Sequence, residues 1–338
     1  MASALVDRAW RESTPESVEA DLAALWRDVS KRGPIAHAVM SNLVVFRLHE
    51  RRSGDRSTPV VVDDDLLSEV AARHPSRAIV IEHDRGEHDA RSPVGASVGI
   101  SVFGSESAAY GVEWVVVRSA SAEQSLPSIV LRFAQGDVPT SVWWTEDLST
   151  IAPLPALVSS GRQLVYDSGR WRDVAAGIRT LVALLNGQEL DLADVNWRRL
   201  TSFRQALAHV SRTLPRDITA DRIRITHRAD ERALAWLLAG WLAARLSWSP
   251  TRWPAVDAVS EGDELLKLEI DGGKLLTATL GEHRVEMIQP GKPPLVVAAP
   301  CPARAEQIAA ELRELASDAG LVDAVKALGR HLDRAQGN

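Results

Sequence analysis

Cysteine is almost missing from this sequence: Cys301 is the single thiol in 338 residues. One thiol excludes an intramolecular disulfide, and with it the CxxC patterns of redox and zinc sites. Phenylalanine and tyrosine are scarce too, four and two, against eleven tryptophans. Most of those rings are expected in the core, because each buries a large apolar area, but an excess of tryptophan also suits interface anchors. Net charge is only −6, which gives no electrostatic support for a nucleic acid or an anionic membrane as partner. No apolar run reaches the ~20 residues that cross a bilayer. The longest, residues 233–244 (ALAWLLAGWLAA), has the length of a buried core helix. Residues 1–12 mix charged with apolar side chains and lack the h-region of a secretory leader, so a cytoplasmic protein is expected.

Chemical motifs are missing as well. Gly273-Lys274 and Gly291-Lys292 lack the upstream glycine and the trailing Ser or Thr of a P-loop. No GxGxxG follows the first strand, so there is no dinucleotide fingerprint. Residues 95–99 (GASVG) fit GxSxG, a pattern that exposes its serine only at a sharp strand-to-helix turn. Here turn-like residues precede it and β-type residues follow, so Ser97 reads as part of a strand. Residues 82–89 (EHDRGEHD) place two histidines five apart in a polar loop, without the spacing of a helical zinc motif. The acidic triplet 63–65 precedes Leu66, Leu67 and Val70, where acids favour a helix start over a magnesium site. No catalytic residue, cofactor or metal is assigned, and a protein without enzymatic activity is expected.

What is present has two textures. At 338 residues, with 45% hydrophobic and 25% charged side chains, the chain can bury two cores. Up to about residue 215 short strands alternate with helices. Thr14 suits an N-cap with Pro15 at N1, followed by an apolar stripe of Val18, Leu22, Leu25, Trp26 and Val29. Strands are predicted at 39–48, 78–81, 95–103, 113–118, 137–144 and 164–166. Helices are predicted at 66–73, 125–133, 148–158 and 171–185. This alternation argues for a mainly parallel sheet covered on both faces. Residues 194–210 (DVNWRRLTSFRQALAHV) carry Trp197, Leu200, Phe203, Leu207 and Val210 at steps of three and four, which predicts one amphipathic helix. Beyond it, a strand at 222–227 leads through Asp230, as N-cap, into a helix at 232–246. Asp271-Gly272-Gly273 then joins two alternating segments as a hairpin, a third strand occupies 285–288, and helices follow at 303–316 and 321–332. The expected fold is α/β: an N-terminal domain, 1–215, with a mainly parallel sheet, then a smaller α+β domain, 216–338, with an antiparallel one.

Six stretches carry a family resemblance. They are 73–79 (RHPSRAI), 126–131 (LPSIVL), 137–144 (DVPTSVWW), 165–168 (VYDS), 194–201 (DVNWRRLT) and 238–248 (LAGWLAARLSW). As an ordered set they resemble the glucose-6-phosphate dehydrogenase assembly protein family, OpcA. The resemblance implies a non-catalytic partner of glucose-6-phosphate dehydrogenase, promoting its active oligomer or acting as its allosteric effector in the oxidative pentose phosphate pathway. It does not imply that this chain itself binds glucose 6-phosphate or NADP. Two departures stand out. Some members are thought to be redox-controlled through cysteines, which Cys301 alone cannot provide within one chain, and residues 110–114 match the family strand poorly.

The matched residues supply the candidates for partner contact. Arg77 can pair with a buried acid or face a partner; His74 before it favours the helix C-terminal dipole. Trp143 and Trp144 alternate faces of a strand, so one is expected in the core and the other near the surface. Asp167 and Ser168 lie at the carboxyl end of a strand, where α/β folds place ligands, and suit helix capping equally. Asn196 caps its helix, Trp197 packs on the sheet, and Arg198 and Arg199 project outward as candidate contacts. A rival reading makes the α/β domain a sugar-phosphate enzyme or sensor whose polar groups are Asp167, Ser168 and Arg77.

Overall fold

The computed structural model describes residues 5–49, 65–84, 95–105, 107–119, 123–187, 189–259, 263–315 and 317–336. The acids 63 and 64 and the loop residues 85–94 lie outside the described residues. The chain forms two compact units that interleave in sequence. One comprises Met1–Glu146, Pro153–Tyr166 and Arg304–Leu315, the other Asp147–Ala152, Asp167–Ala303 and Ala316–Asn338.

The first unit carries β1 (Leu5–Ser13), α1 (Val18–Ser30), β2 (Ile35–His37), β3 (Ser41–His49), α2 (Asp65–Arg73) and β4 (Ser76–Asp84). It continues with β5 (Gly95–Ser105), β6 (Ala108–Ser119), α3 (Leu126–Phe133), β7 (Thr140–Trp144), α4 (Pro155–Val158) and β8 (Gln163–Tyr166). Its strands run in the order β1-β5-β6-β4-β3-β7-β8, with β2 beside β6. β3 pairs in parallel with β4 and β7, β4 with β6, and β7 with β8; only β1 and β5 bring antiparallel pairings. Val44, Val45, Ile79, Val80 and Ile81 are wholly buried. Successive residues of one strand can all be buried only where both faces of the sheet are covered.

Three expectations change here. Residues 5–13 are an edge strand, hidden from periodicity because edges tolerate charge and this one mixes Asp7, Arg8 and Arg11 with Trp10. α1 starts at Val18 with Ser17 as its cap residue, because Thr14 O accepts from Ser17 N and Val18 N and closes a turn first. The helix expected over 148–158 shrinks to α4: Pro153 has no N–H to give an interior turn, while Pro155 sits acceptably at the start.

The second unit carries α5 (Val174–Gly187), β9 (Asp191–Asp194), α6 (Val195–Arg198), α7 (Thr201–Ser211), β10 (Ile223–Arg228) and α8 (Arg232–Arg245). Then come β11 (Ala255–Val259), β12 (Leu266–Ile270), β13 (Leu276–Leu280), β14 (Arg284–Ile288) and β15 (Leu295–Ala298). α9 (Arg304–Arg313) returns to the first unit, and α10 (Ala319–Gln336) completes the second. The sheet runs β11-β10-β12-β13-β14-β15 and is antiparallel except for β10 with β11. As expected, Asp271-Gly272-Gly273 forms the hairpin, with φ of 53°, 60° and 85°. Leu266, Leu268, Leu276, Ala278 and Val285 bury one face of this sheet, while Lys267, Glu269, Thr277 and Thr279 lie on the other.

α8 is apolar all round, from Ala233 to Ala243, and is a core helix. A side chain at Gly240 would come within 2.7 Å of Ala324 O, so only glycine lets α10 approach this closely. No helix among the described residues is long and apolar enough to cross a membrane. The predicted helix over 194–210 is two helices: α6 ends at Arg198, and α7 restarts after Leu200 (φ −80°, ψ −6°). Trp197, Leu200, Phe203, Leu207 and Val210 still share the buried side.

Candidate functional site

Around α6 the second unit assembles a buried polar cluster. Asp194, rather than Asn196 as expected, caps the helix: its Oδ1 accepts from Asn196 N at 2.9 Å and from Ser168 N at 3.1 Å. Asn196 Nδ2 donates to Ser168 Oγ at 3.2 Å, and Asn196 Oδ1 accepts from Arg199 Nη1 at 2.9 Å. Arg199, expected to project outward, instead turns onto the buried Glu231 through two parallel bonds of 2.7 and 2.6 Å. Because Glu231 is held this way and Asp230 pairs with Arg228 at 2.8 Å, neither side chain caps α8, correcting the expected role of Asp230. Trp197 Nε1 donates to Asp318 Oδ2 at 2.6 Å, and the Arg204 guanidinium stacks 3.8 Å from the Trp197 ring.

Sealing a carboxylate among these groups has an electrostatic consequence. Burial, the largest influence, raises the pKa of Asp194 to about 7, although the Ser168 and Asn196 bonds pull it down. Asp194 Oδ2 has no hydrogen-bond partner among the described residues, so no donor there favours the charged form. Asp167 caps a turn of 3-10 helix over Ser168–Arg170 by accepting from Gly169 N at 3.1 Å, and does not begin α5. That helix starts later, with Asp173 Oδ1 accepting from Ala176 N.

In the first unit Arg77 is 5% exposed and faces two acids, Glu19 and the buried Glu113. Its Nε lies 3.4 Å from Glu113 Oε2, while Glu113 Oε1 accepts a hydrogen bond from Trp26 Nε1 at 2.7 Å and stands 3.2 Å from His37 Nε2. His74 contributes no charge to a helix end. Burial first, and Arg313 second, lower its pKa to about 4, and its Nε2 shares a 3.0 Å hydrogen bond with Ser41 Oγ. Trp143 and Trp144 are both buried, at 3% and 2% exposure, and Trp144 stacks on Phe46 with centroids 4.1 Å apart. A strand covered on both faces leaves neither ring a wet side, which corrects the expectation of one surface tryptophan.

Ser97 lies within β5, 5% exposed, with no nucleophile elbow around it. Glu82 pairs with Arg118 at 3.1 Å, and His83 is buried beside Phe46. Among the described residues no group of three or more His, Cys, Asp or Glu could hold a metal ion.

The structure thus gathers Ser168, Asn196 and Trp197 into one region and buries them, while Asp167 and Arg198 are half-exposed beside them. Arg77 stands at the amino end of β4, whereas Asp167 and Ser168 follow the carboxyl end of β8. Arg77 belongs to the first unit, Asp167 and Ser168 to the second. Sequence reasoning missed Glu113 and Glu231. Their signal was an acid bordering apolar runs (EWVVVR, ERALAWLL), a place where an unpaired charge is costly.

Comparison with known families adds the biological context. Residues 67–183 match the family described as glucose-6-phosphate dehydrogenase subunit N-terminal domain, and residues 190–325 match that subunit's C-terminal domain. A relative from Nostoc punctiforme carrying the name OxPP cycle protein OpcA is 27% identical over 197 residues, covering 56% of this chain and 41% of the relative. Another from Synechococcus elongatus is 25% identical over 243 residues, covering 64% and 53%. The chain therefore spans about half the length of these curated relatives. Among solved structures, an oxidoreductase from Sinorhizobium meliloti aligns over 88% of this chain and 96% of its own at 10% identity, with a TM-score of 0.45.

Proposed function

The chain belongs to the OpcA family of glucose-6-phosphate dehydrogenase assembly proteins, and from that membership we propose that it binds a glucose-6-phosphate dehydrogenase in the cytoplasm and promotes its active oligomer. It does so as a non-catalytic allosteric activator, with no cofactor of its own. The observation that carries this reading is the succession of two matched domains, both described by that dehydrogenase's subunit. The packing supports it: the polar groups at α6 spend their hydrogen bonds on one another, an arrangement suited to presenting a rigid surface.

In this proposal Asp167 and Arg198 touch the dehydrogenase. Ser168, Asn196 and Trp197 hold them in position from beneath, and Arg77, Trp143 and Trp144 keep the first unit rigid. Activation requires tighter binding to the active form than to the inactive one. A coupling of ~1–3 kcal/mol gives a ~5–150-fold change in substrate affinity or in the assembly equilibrium. The test is a titration of the purified dehydrogenase with the full chain, reading KM for glucose 6-phosphate and oligomer mass. Constancy of both across a concentration series removes the proposal. Arg198→Glu is expected to weaken the association by about tenfold, the cost of losing one well-placed interface charge.

A division into domains after residue 215 belongs to the same proposal. Separate expression of 1–215 and 216–338 checks it, and the interleaving of the two units makes this a demanding test. Two soluble fragments with independent melting transitions are expected, and aggregation of either one defeats the division.

A further inference from the structure

Between α7 and α8 lies a cleft of about 510 Å³, within the range of small-molecule sites. Its walls are Leu207 and Ala208 of α7 and Trp241 and Leu242 of α8; its floor is Leu268 and Ile270 of β12. At the mouth stand Arg216, in the link from α7 to β10, and Arg245, the last residue of α8, both exposed. No aspartate or glutamate lines the cleft, and neither arginine has an ion-pair partner among the described residues. Protein interiors ordinarily close such spaces by interdigitation, so an open cleft between two helices is unusual.

We propose that this cleft binds a single-chain amphipathic anion, an alkyl tail ending in a carboxylate. The tail lies along the apolar walls toward β12, and the head is held at the mouth by Arg216 and Arg245, whose planar forks match a carboxylate. Leu268 and Ile270 are 0% and 3% exposed, so the base of the cleft is narrow. A partner helix, ~10–12 Å across, needs a groove as wide below as above, whereas an alkyl chain does not. A sugar phosphate would satisfy the arginines but leave its hydroxyls against Leu207, Trp241 and Leu242 without partners.

The test is calorimetric titration of the full chain with sodium dodecanoate below its micellar concentration, repeated with decanoate and with dodecanol. One saturable site is expected, with decanoate about tenfold weaker, the effect of two methylenes. The double variant R216E/R245E should lose at least tenfold in dodecanoate affinity and leave dodecanol binding unchanged. A208W, at an exposed position of α7, should abolish binding of both ligands. Absence of saturable binding, equal affinity for acid and alcohol, or binding indifferent to A208W would overturn the proposal. Should A208W fail to fold, the two surface arginines decide the matter alone. No dehydrogenase is present in this assay, so its outcome is independent of the assembly reading.

Discussion

Each unit sets an arginine against a buried glutamate, and the two pairs are held differently. In the second unit Arg199 meets Glu231 fork to fork and also donates to Asn196, so direction and charge are both satisfied. In the first unit Arg77 stands 3.4 Å from Glu113, and the shorter contacts of that acid go to Trp26 and His37. The first arrangement is a shared seat for charge, and the second is a clamp between α6 and the start of α8. A bidentate pair carries geometric information that a loose pair lacks.

The units also treat protons in opposite senses. His74 in the first is held neutral with its pKa lowered to about 4, and burial in the second raises the pKa of Asp194 to about 7. For His74 the unfolded chain binds the proton more tightly, so its stabilising share is lost as pH falls from 6.5 toward about 4. For Asp194 the folded chain binds it more tightly, so its share is present below 3.8 and lost as pH rises through about 7. Over the shared window the two slopes oppose each other.

The largest expected effect comes from opening the clamp. Glu231→Ala leaves Arg199 partly buried without its carboxylate and should cost ~3–5 kcal/mol in urea denaturation. A cost below that of the matching change in the first unit would erase the distinction between clamp and seat. Glu113→Ala should cost less, ~1–3 kcal/mol, because Arg77 keeps Glu19 while the Trp26 indole loses its acceptor. Arg204→Ala removes the stack on Trp197 and should cost ~0.5–2 kcal/mol in the same denaturation. The pH comparison is sharpened by Asp194→Asn and His74→Gln, with stability followed between pH 4 and 7. Relative to the parent, the first should gain ground as pH rises and the second as pH falls; parallel curves would show that neither group is buried as described.

Legibility differed between the regions for a physical reason. Where one face meets water, alternation is written plainly: Leu266, Leu268 and Ile270 read as the inner face of β12, and Asp271-Gly272-Gly273 as its turn. The buried parallel strands were readable as apolar runs, but β1, β11 and β15 were not, because exposed edges tolerate mixed side chains. The 194–210 helix was half right. Its stripe was correct, but nothing in the spacing announced the break near Arg199, which the bonds from Arg199 to Asn196 and Glu231 accompany. The candidate residues were legible as a set. Their burial was not: a motif says which residues matter and not whether they face in or out.

From the sequence alone came the α/β class, the hairpin, the core helix α8 and the family, because these rest on local periodicity, turn chemistry and the order of short motifs. Only the tertiary structure decided that Trp144 is sealed beneath the sheet's cover, that Glu231 answers Arg199, and that burial raises the pKa of Asp194. Those outcomes depend on which distant residues arrive within hydrogen-bond reach and how completely water is excluded, and both are properties of packing in three dimensions.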